Sequence, residues 1–120
     1  MVTRATHKAR GAGFETDTRD QFRASGYRAE RLARAGSHDE GDISVSDWLQ
    51  REYVVVECKA PGSGGRIDLP GWLREAERER GFFAKARGLS ETSVLPVVLI
   101  KARGKSIEDA YLVIRLGEVL

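Results

Sequence analysis

Residues 53–59 read YVVVECK, a β-branched run that closes on Glu57-Cys58-Lys59. Three successive valines lose χ1 freedom in a helix, and without polar alternation they fit a strand covered on both faces. A central strand of this kind needs partners on its edges and helices over its faces, so it narrows the fold more than any other segment. Alternation along the strand then puts Glu57 and Lys59 on one face and Cys58 on the other. A carboxylate and an ammonium therefore lie side by side where the apolar run ends.

The remaining elements follow from local signals. Residues 14–25 are expected to form a helix, with Phe14 and Phe22 on one stripe and Gly26 as the stop. Residues 27–35 and 42–46 alternate as two strands of a hairpin around the turn chemistry of residues 36–41. The loop Pro61-Gly62-Ser63-Gly64-Gly65 lacks the Gly-Lys-Ser/Thr ending of a phosphate-binding loop and is read as a flexible connection. Asp68 caps a second helix with Pro70 in its first turn and Trp72, Ala76 and Phe83 toward the core, although Gly81 weakens its continuity. Two strands, VLPVVLI and AYLVIRL, complete the chain, with Pro96 expected at a strand start or edge. The order helix, three strands, helix, two strands predicts an α/β domain whose central mixed β-sheet is flanked by helices.

A chain of 120 residues suits a single domain. Residues 1–12 lack apolar periodicity and read as a flexible basic N-terminus, leaving 13–120 as the folded domain. No segment is apolar enough to cross a membrane or to form a secretory signal, and the single cysteine excludes an internal disulfide, so a cytoplasmic location with no membrane partner is expected. Cys58 on its own terms is a small core residue. The net charge of +2 conceals a pattern: residues 35–60 carry six acidic and two basic groups, while residues 1–34 carry eight basic and four acidic. An acidic centre between basic flanks suits a carboxylate metal site beside a polyanion-binding surface, as well as an ordinary mixed surface.

Asp42 opens the second strand, and Glu57 and Lys59 end the third. If those strands are neighbours, two carboxylates and one ammonium meet. Hard divalent cations take oxygen ligands, often one or two carboxylates with water and substrate phosphate, so Asp42 and Glu57 are candidate magnesium ligands. Lys59 is then placed to orient or deprotonate an attacking water, or to stabilise charge developing on a phosphate. Clustered carboxylates raise one another's pKa and destabilise a fold unless a cation compensates them, which argues against a casual surface pair.

The Asp…Glu-x-Lys arrangement resembles the PD-(D/E)XK nuclease superfamily, and in particular the archaeal-type Holliday junction resolvases. The matching stretches are Gly11-Ala12-Gly13-Phe14-Glu15, Gly26-Tyr27, Ala35-Gly36-Ser37, Gly41-Asp42 and Val54-Val55-Val56-Glu57-Cys58-Lys59, followed by a helix and a Pro-Val strand ending at Lys101. The resemblance implies a restriction-endonuclease-like fold and a magnesium-dependent endodeoxyribonuclease, with manganese substituting, that resolves four-way junctions. It implies a metal set of Glu15, Asp42, Glu57 and Cys58, a catalytic set that adds Lys59 and Ser37, and a homodimer acting on branched double-stranded DNA. No proline precedes Asp42, and the loop at residues 62–66 with the arginine-rich second helix departs from the archaeal pattern, which bears on substrate choice.

Asp17 and Asp20 compete with Glu15 on the same helix, because acids near a helix start also complement its dipole. Ser37 also fits a turn-forming role, and His38 beside it is left out of the catalytic set. Arg19, Arg28, Arg31, Arg34, Arg66, Lys85 and Lys101 are candidate DNA contacts, which would give salt-sensitive affinity independent of sequence. Trp72, Phe82 and Phe83 are candidates for a dimer interface, with core packing as the alternative. A flap, nick or general duplex nuclease of the same fold and a non-catalytic binder of branched DNA are the competing functional readings.

Overall fold

Strand β3 (Arg51–Lys59) lies at the middle of the computed structural model, which describes residues 4–33 and 39–120, with side chains from residue 13 onward. Around it stand β1 (Ala29–Arg31), β2 (Ile43–Trp48), β4 (Val94–Ile100) and β5 (Tyr111–Val113), in the spatial order β1-β2-β3-β4-β5. All neighbours are antiparallel except β3 and β4, which run parallel and are connected through helix α2 (Leu69–Ala86). Helix α1 (Arg4–Ala24) precedes the sheet. This is the mixed-sheet α/β architecture expected from the sequence.

The two faces of β3 are covered by different helices. Val54, Val56 and Cys58 pack on the α1 side with Phe14, Ile43, Val45, Leu95 and Val97. Val55 packs on the α2 side with Phe83 and Ala84, and Leu73 and Ala76 of the same helix close over Val98 and Ile100. Val54, Val55 and Val56 are fully buried, and each such side chain contributes roughly 1.5–3 kcal/mol. Glu57 and Lys59, next in the Val55 register, therefore emerge on the α2 side.

Helix ends follow the expected chemistry. Gly26, with φ +93°, ends α1 in a left-handed turn, and Tyr27 N–H donates to Phe22 O at 2.9 Å while the two rings meet edge to face. The Asp68 side chain accepts from Gly71 N–H at the start of α2, and the helix runs through Gly81 without a break.

Four expectations need correction. Helix α1 starts at Arg4 rather than at residue 14, so helical backbone extends through a segment without apolar periodicity. Among the described residues of the expected strand over 27–35, the strand proper is Ala29–Arg31, paired with Ile43–Val45 and flanked by backbone bonds from Ser46 N–H to Arg28 O and from Leu32 N–H to Asp42 O. Pro96 lies inside β4, beside Val55, instead of at its start. Strand β5 covers only Val98–Ile100, so β4 has a single strand neighbour at Pro96, which meets the edge condition proline requires. Phe83 is wholly buried against Val55, Ala84 and Val94 and is no interface residue.

Candidate metal centre

The β2 and β3 strands bring Asp42 and Glu57 to the same end of the sheet. Ile43 pairs with Val56, and Asp42 extends the ladder by one residue, with its N–H donating to Val56 O at 3.1 Å. Its carboxylate Oδ2 then accepts the Cys58 N–H at 2.8 Å. Asp42 is thus fixed relative to Glu57-Cys58-Lys59 by its own N–H and by its carboxylate, each bonded to the backbone of β3.

Gly41 explains why a glycine precedes this aspartate. Its φ of +109° lies in the region that side chains avoid, and a Cβ there would stand 2.6 Å from Val55 Cγ1 and 3.5 Å from Glu79 Oε2. The chain therefore passes directly over the buried end of β3.

Glu57 is 6% exposed and Asp42 7%. Lys59 Nζ lies 3.7 Å from Glu57 Oε1 and 2.9 Å from Glu75 Oε2, and its ammonium sits 5.7 Å from the centre of the Trp72 ring. Glu15, half buried on α1, pairs with Arg31 at 2.6 Å and is near enough to Asp42 to help raise its pKa. Its competitors Asp17 and Asp20 are exposed. Glu15, Asp42, Glu57 and Lys59 come from two elements, α1 and β3, and the turn that enters β2.

Two residues from α2 join them that sequence reasoning missed. Glu75 and Glu79, one helical turn apart, bring carboxylate oxygens within 4.8 Å of each other and of Glu57. Glu79 is only 1% exposed. The sequence carried only half the signal: Glu79 falls three residues after Ala76 and four before Phe83, but Arg80 fits the same inward face by the same spacing.

The electrostatics are lopsided. Burial pushes Asp42 up to about 9, helped by the Glu57 charge and the proximity of Glu15, against the relief supplied by Cys58 N–H. Burial also pushes Glu57 up to about 9, with Glu79 the next cause, and raises Glu79 to about 7. Burial pulls on Lys59 in the opposite sense, but Glu75, Glu57 and Asp42 outweigh it and hold the ammonium above its ordinary pKa. In the metal-free fold Lys59 is therefore held as the ammonium. One ammonium faces Asp42, Glu57, Glu75 and Glu79, so the site is short of positive charge.

The sequence-derived set is met unevenly. Cys58 was placed among the metal residues, but its thiol lies on the α1 face, 3.9 Å from Thr18 Oγ1, and burial raises its pKa well above the usual thiol value. Its thiol is a packing group, while its N–H orients Asp42. Ser37, His38 and Arg34 lie outside the described residues. Among the candidate DNA contacts, Arg31 is bound to Glu15 and Arg19 to Asp20 at 3.0 Å. Lys101 follows β4 with its N–H on Lys59 O at 2.9 Å, and Arg66 is exposed in the loop after Gly65. Arg28 borders a cavity with Ser46, Asp47 and Tyr53 toward the β2–β3 turn, and Lys85 is exposed on the last turn of α2.

No model of a known protein family matches the chain, and no curated protein matches it either.

Proposed function

We propose that the protein is a metal-dependent DNA endonuclease of the PD-(D/E)XK class, with a restriction-endonuclease-like fold, that cuts four-way junctions as a homodimer. The observation that carries this reading is the meeting of Asp42 and Glu57 from adjacent antiparallel strands, with Lys59 beside Glu57 on the same face. The element order supports it: a helix bearing Glu15, a strand, a strand opened by Asp42, a strand closed by Glu57 and Lys59, a helix, and a strand running into Lys101.

An all-oxygen donor set with a buried carboxylate oxygen that has no hydrogen-bond donor, Glu57 Oε2, fits a hard divalent cation. Asp42 and Glu57 would hold magnesium or manganese, with Glu15 at greater distance. The ion would supply polarisation of a phosphoryl oxygen and a water of lowered pKa. Lys59, 3.7 Å from Glu57, would stabilise negative charge on the phosphate. Arg31 fixes the Glu15 carboxylate through an ion pair at 2.6 Å. Arg66, exposed in the loop after β3, and Lys101, whose backbone N–H bonds Lys59 O, would be among the cations that meet the DNA backbone. A junction needs two symmetric incisions, which a twofold dimer would provide.

The test is incubation of the protein and Glu57→Gln with a labelled four-way junction and a matched linear duplex, in magnesium or EDTA. Paired magnesium-dependent nicks in the junction alone, lost in the variant, are expected. Equal cutting of both DNAs would mean a general nuclease, and binding without cutting a non-catalytic binder.

A further inference from the structure

Beyond the Asp42–Glu57 pair, we infer that Glu57, Glu75 and Glu79 form a second position for a hard divalent cation, built between the end of β3 and helix α2. Three carboxylate oxygens, one from each residue, lie within 4.8 Å of one another. An acidic cluster alone is common; two further observations set this one apart. Glu79 is 1% exposed and its Oε2 has no hydrogen-bond donor, and the same is true of Oε2 of Glu57. A buried carboxylate oxygen without a donor is costly unless a shared proton or a cation satisfies it.

Lys59 cannot meet that need alone. Its ammonium contacts Glu75 and Glu57, and no hydrogen bond or ion pair joins it to Glu79 among the described residues. No other described cation bonds to these three glutamates: Arg80, next to Glu79, instead bonds Glu118 and Val94 O. Three carboxyl groups thus share one ammonium; protons can fill the gap in the empty site, and a divalent ion would displace them and take one oxygen from each residue. The donors are all oxygen, which selects magnesium or manganese over softer metals. Glu75 and Glu79 are one turn apart on a capped helix, and Glu57 is on the central strand, so the donors are held on rigid elements.

The ion would share Glu57 with the Asp42 position, and Glu75 would exchange its ammonium partner for the metal. This second position does not require the protein to be a nuclease, and its test is read without DNA.

Manganese titration, followed by electron paramagnetic resonance and calorimetry, measures the ions bound per chain in wild type, Glu75→Gln, Glu79→Gln and Asp42→Asn. Two ions are expected in wild type. Glu75→Gln and Glu79→Gln should each weaken one of them at least about tenfold, the smaller end of what loss of even a supporting partner does at a metal centre. Asp42→Asn should leave the ion at α2 bound. Glutamine keeps the shape of glutamate, and at pH 8.5, where Glu79 is ionised, removing an uncompensated buried charge should raise the melting temperature of Glu79→Gln in EDTA while shrinking the shift manganese produces. The inference is overturned if the Glu75→Gln/Glu79→Gln double variant binds manganese as wild type does, or if wild type binds one ion that Asp42→Asn abolishes. A lowered melting temperature of Glu79→Gln in EDTA with unchanged manganese binding would likewise make Glu79 a structural acid and overturn it. Absent junction cleavage with two manganese ions bound would defeat the nuclease reading alone.

Discussion

The carboxylate of Asp42 accepts the backbone N–H of Cys58 at 2.8 Å, so one acidic residue is registered against the other by the sheet itself. That bond joins the turn entering β2 to the end of β3 and needs only an oxygen acceptor, which asparagine also supplies. Asp42→Asn should therefore fold, with stability in EDTA near wild type at neutral pH, where burial keeps Asp42 protonated, and above it at pH 9 and beyond, where a buried charge is removed. Cleavage should fall by more than about 100-fold, beyond the usual effect of residues that merely support metal ligands. Chemical denaturation and junction cleavage, measured side by side, check both halves.

Lys59 is the only ammonium in contact with Glu57 and Glu75 among the described residues. Lys59→Met should lower metal-free stability by roughly 1–3 kcal/mol, discounted for the exposed fifth of the side chain. Urea unfolding in EDTA measures the loss. Saturating magnesium should recover much of the stability but none of the cleavage, because the fixed charge beside the phosphate is gone.

The acid cluster sets a pH dependence. In the metal-free fold Asp42 and Glu57 are pushed up to about 9 and Glu79 to about 7, against roughly 4 for these groups in an unfolded chain. The native state therefore binds more protons than the unfolded state between those values, and stability falls as pH rises. This contribution is fully present below about pH 4 and is lost through pH 7 to 9. The denaturation midpoint in EDTA should be lower at pH 8.5 than at pH 5, and excess magnesium should narrow the gap from the alkaline side. A midpoint in EDTA that climbs across that range would contradict the electrostatic account.

Gly41 is predicted to tolerate no side chain. Alanine there meets Val55 Cγ1 at 2.6 Å with φ at +109°, and strain of this kind costs about 1–3 kcal/mol before the clash is added. Gly41→Ala should lower the melting temperature and weaken metal binding together, because the strained turn carries Asp42.

Phe83→Ala should destabilise by about 3–5 kcal/mol, the range for emptying a buried aromatic site. An interface role would instead change the oligomeric state with little loss of subunit stability. Unfolding at two protein concentrations separates the two outcomes.

Much of this was legible in the chain because it depends on short-range rules. The valine run fixed a strand covered on both faces, strict alternation put Glu57 and Lys59 together and turned Cys58 away, and Asp68 and Gly26 marked helix ends through local hydrogen bonding and φ. The tertiary structure alone decided which charges of EAERER turn inward. Residues 79 and 80 both lie between Ala76 and Phe83 on the helix, one an acid and the other a base, and their choice depends on how α2 is rotated against the sheet. In the fold Glu79 faces Glu57, while Arg80 reaches across to Glu118. Local periodicity sets a face to within about a residue, since each step turns a helix by about 100°. The packing of Phe83 on Val55 and Leu73 on Val98 supplies the remaining rotation, and with it the acidic side of the site.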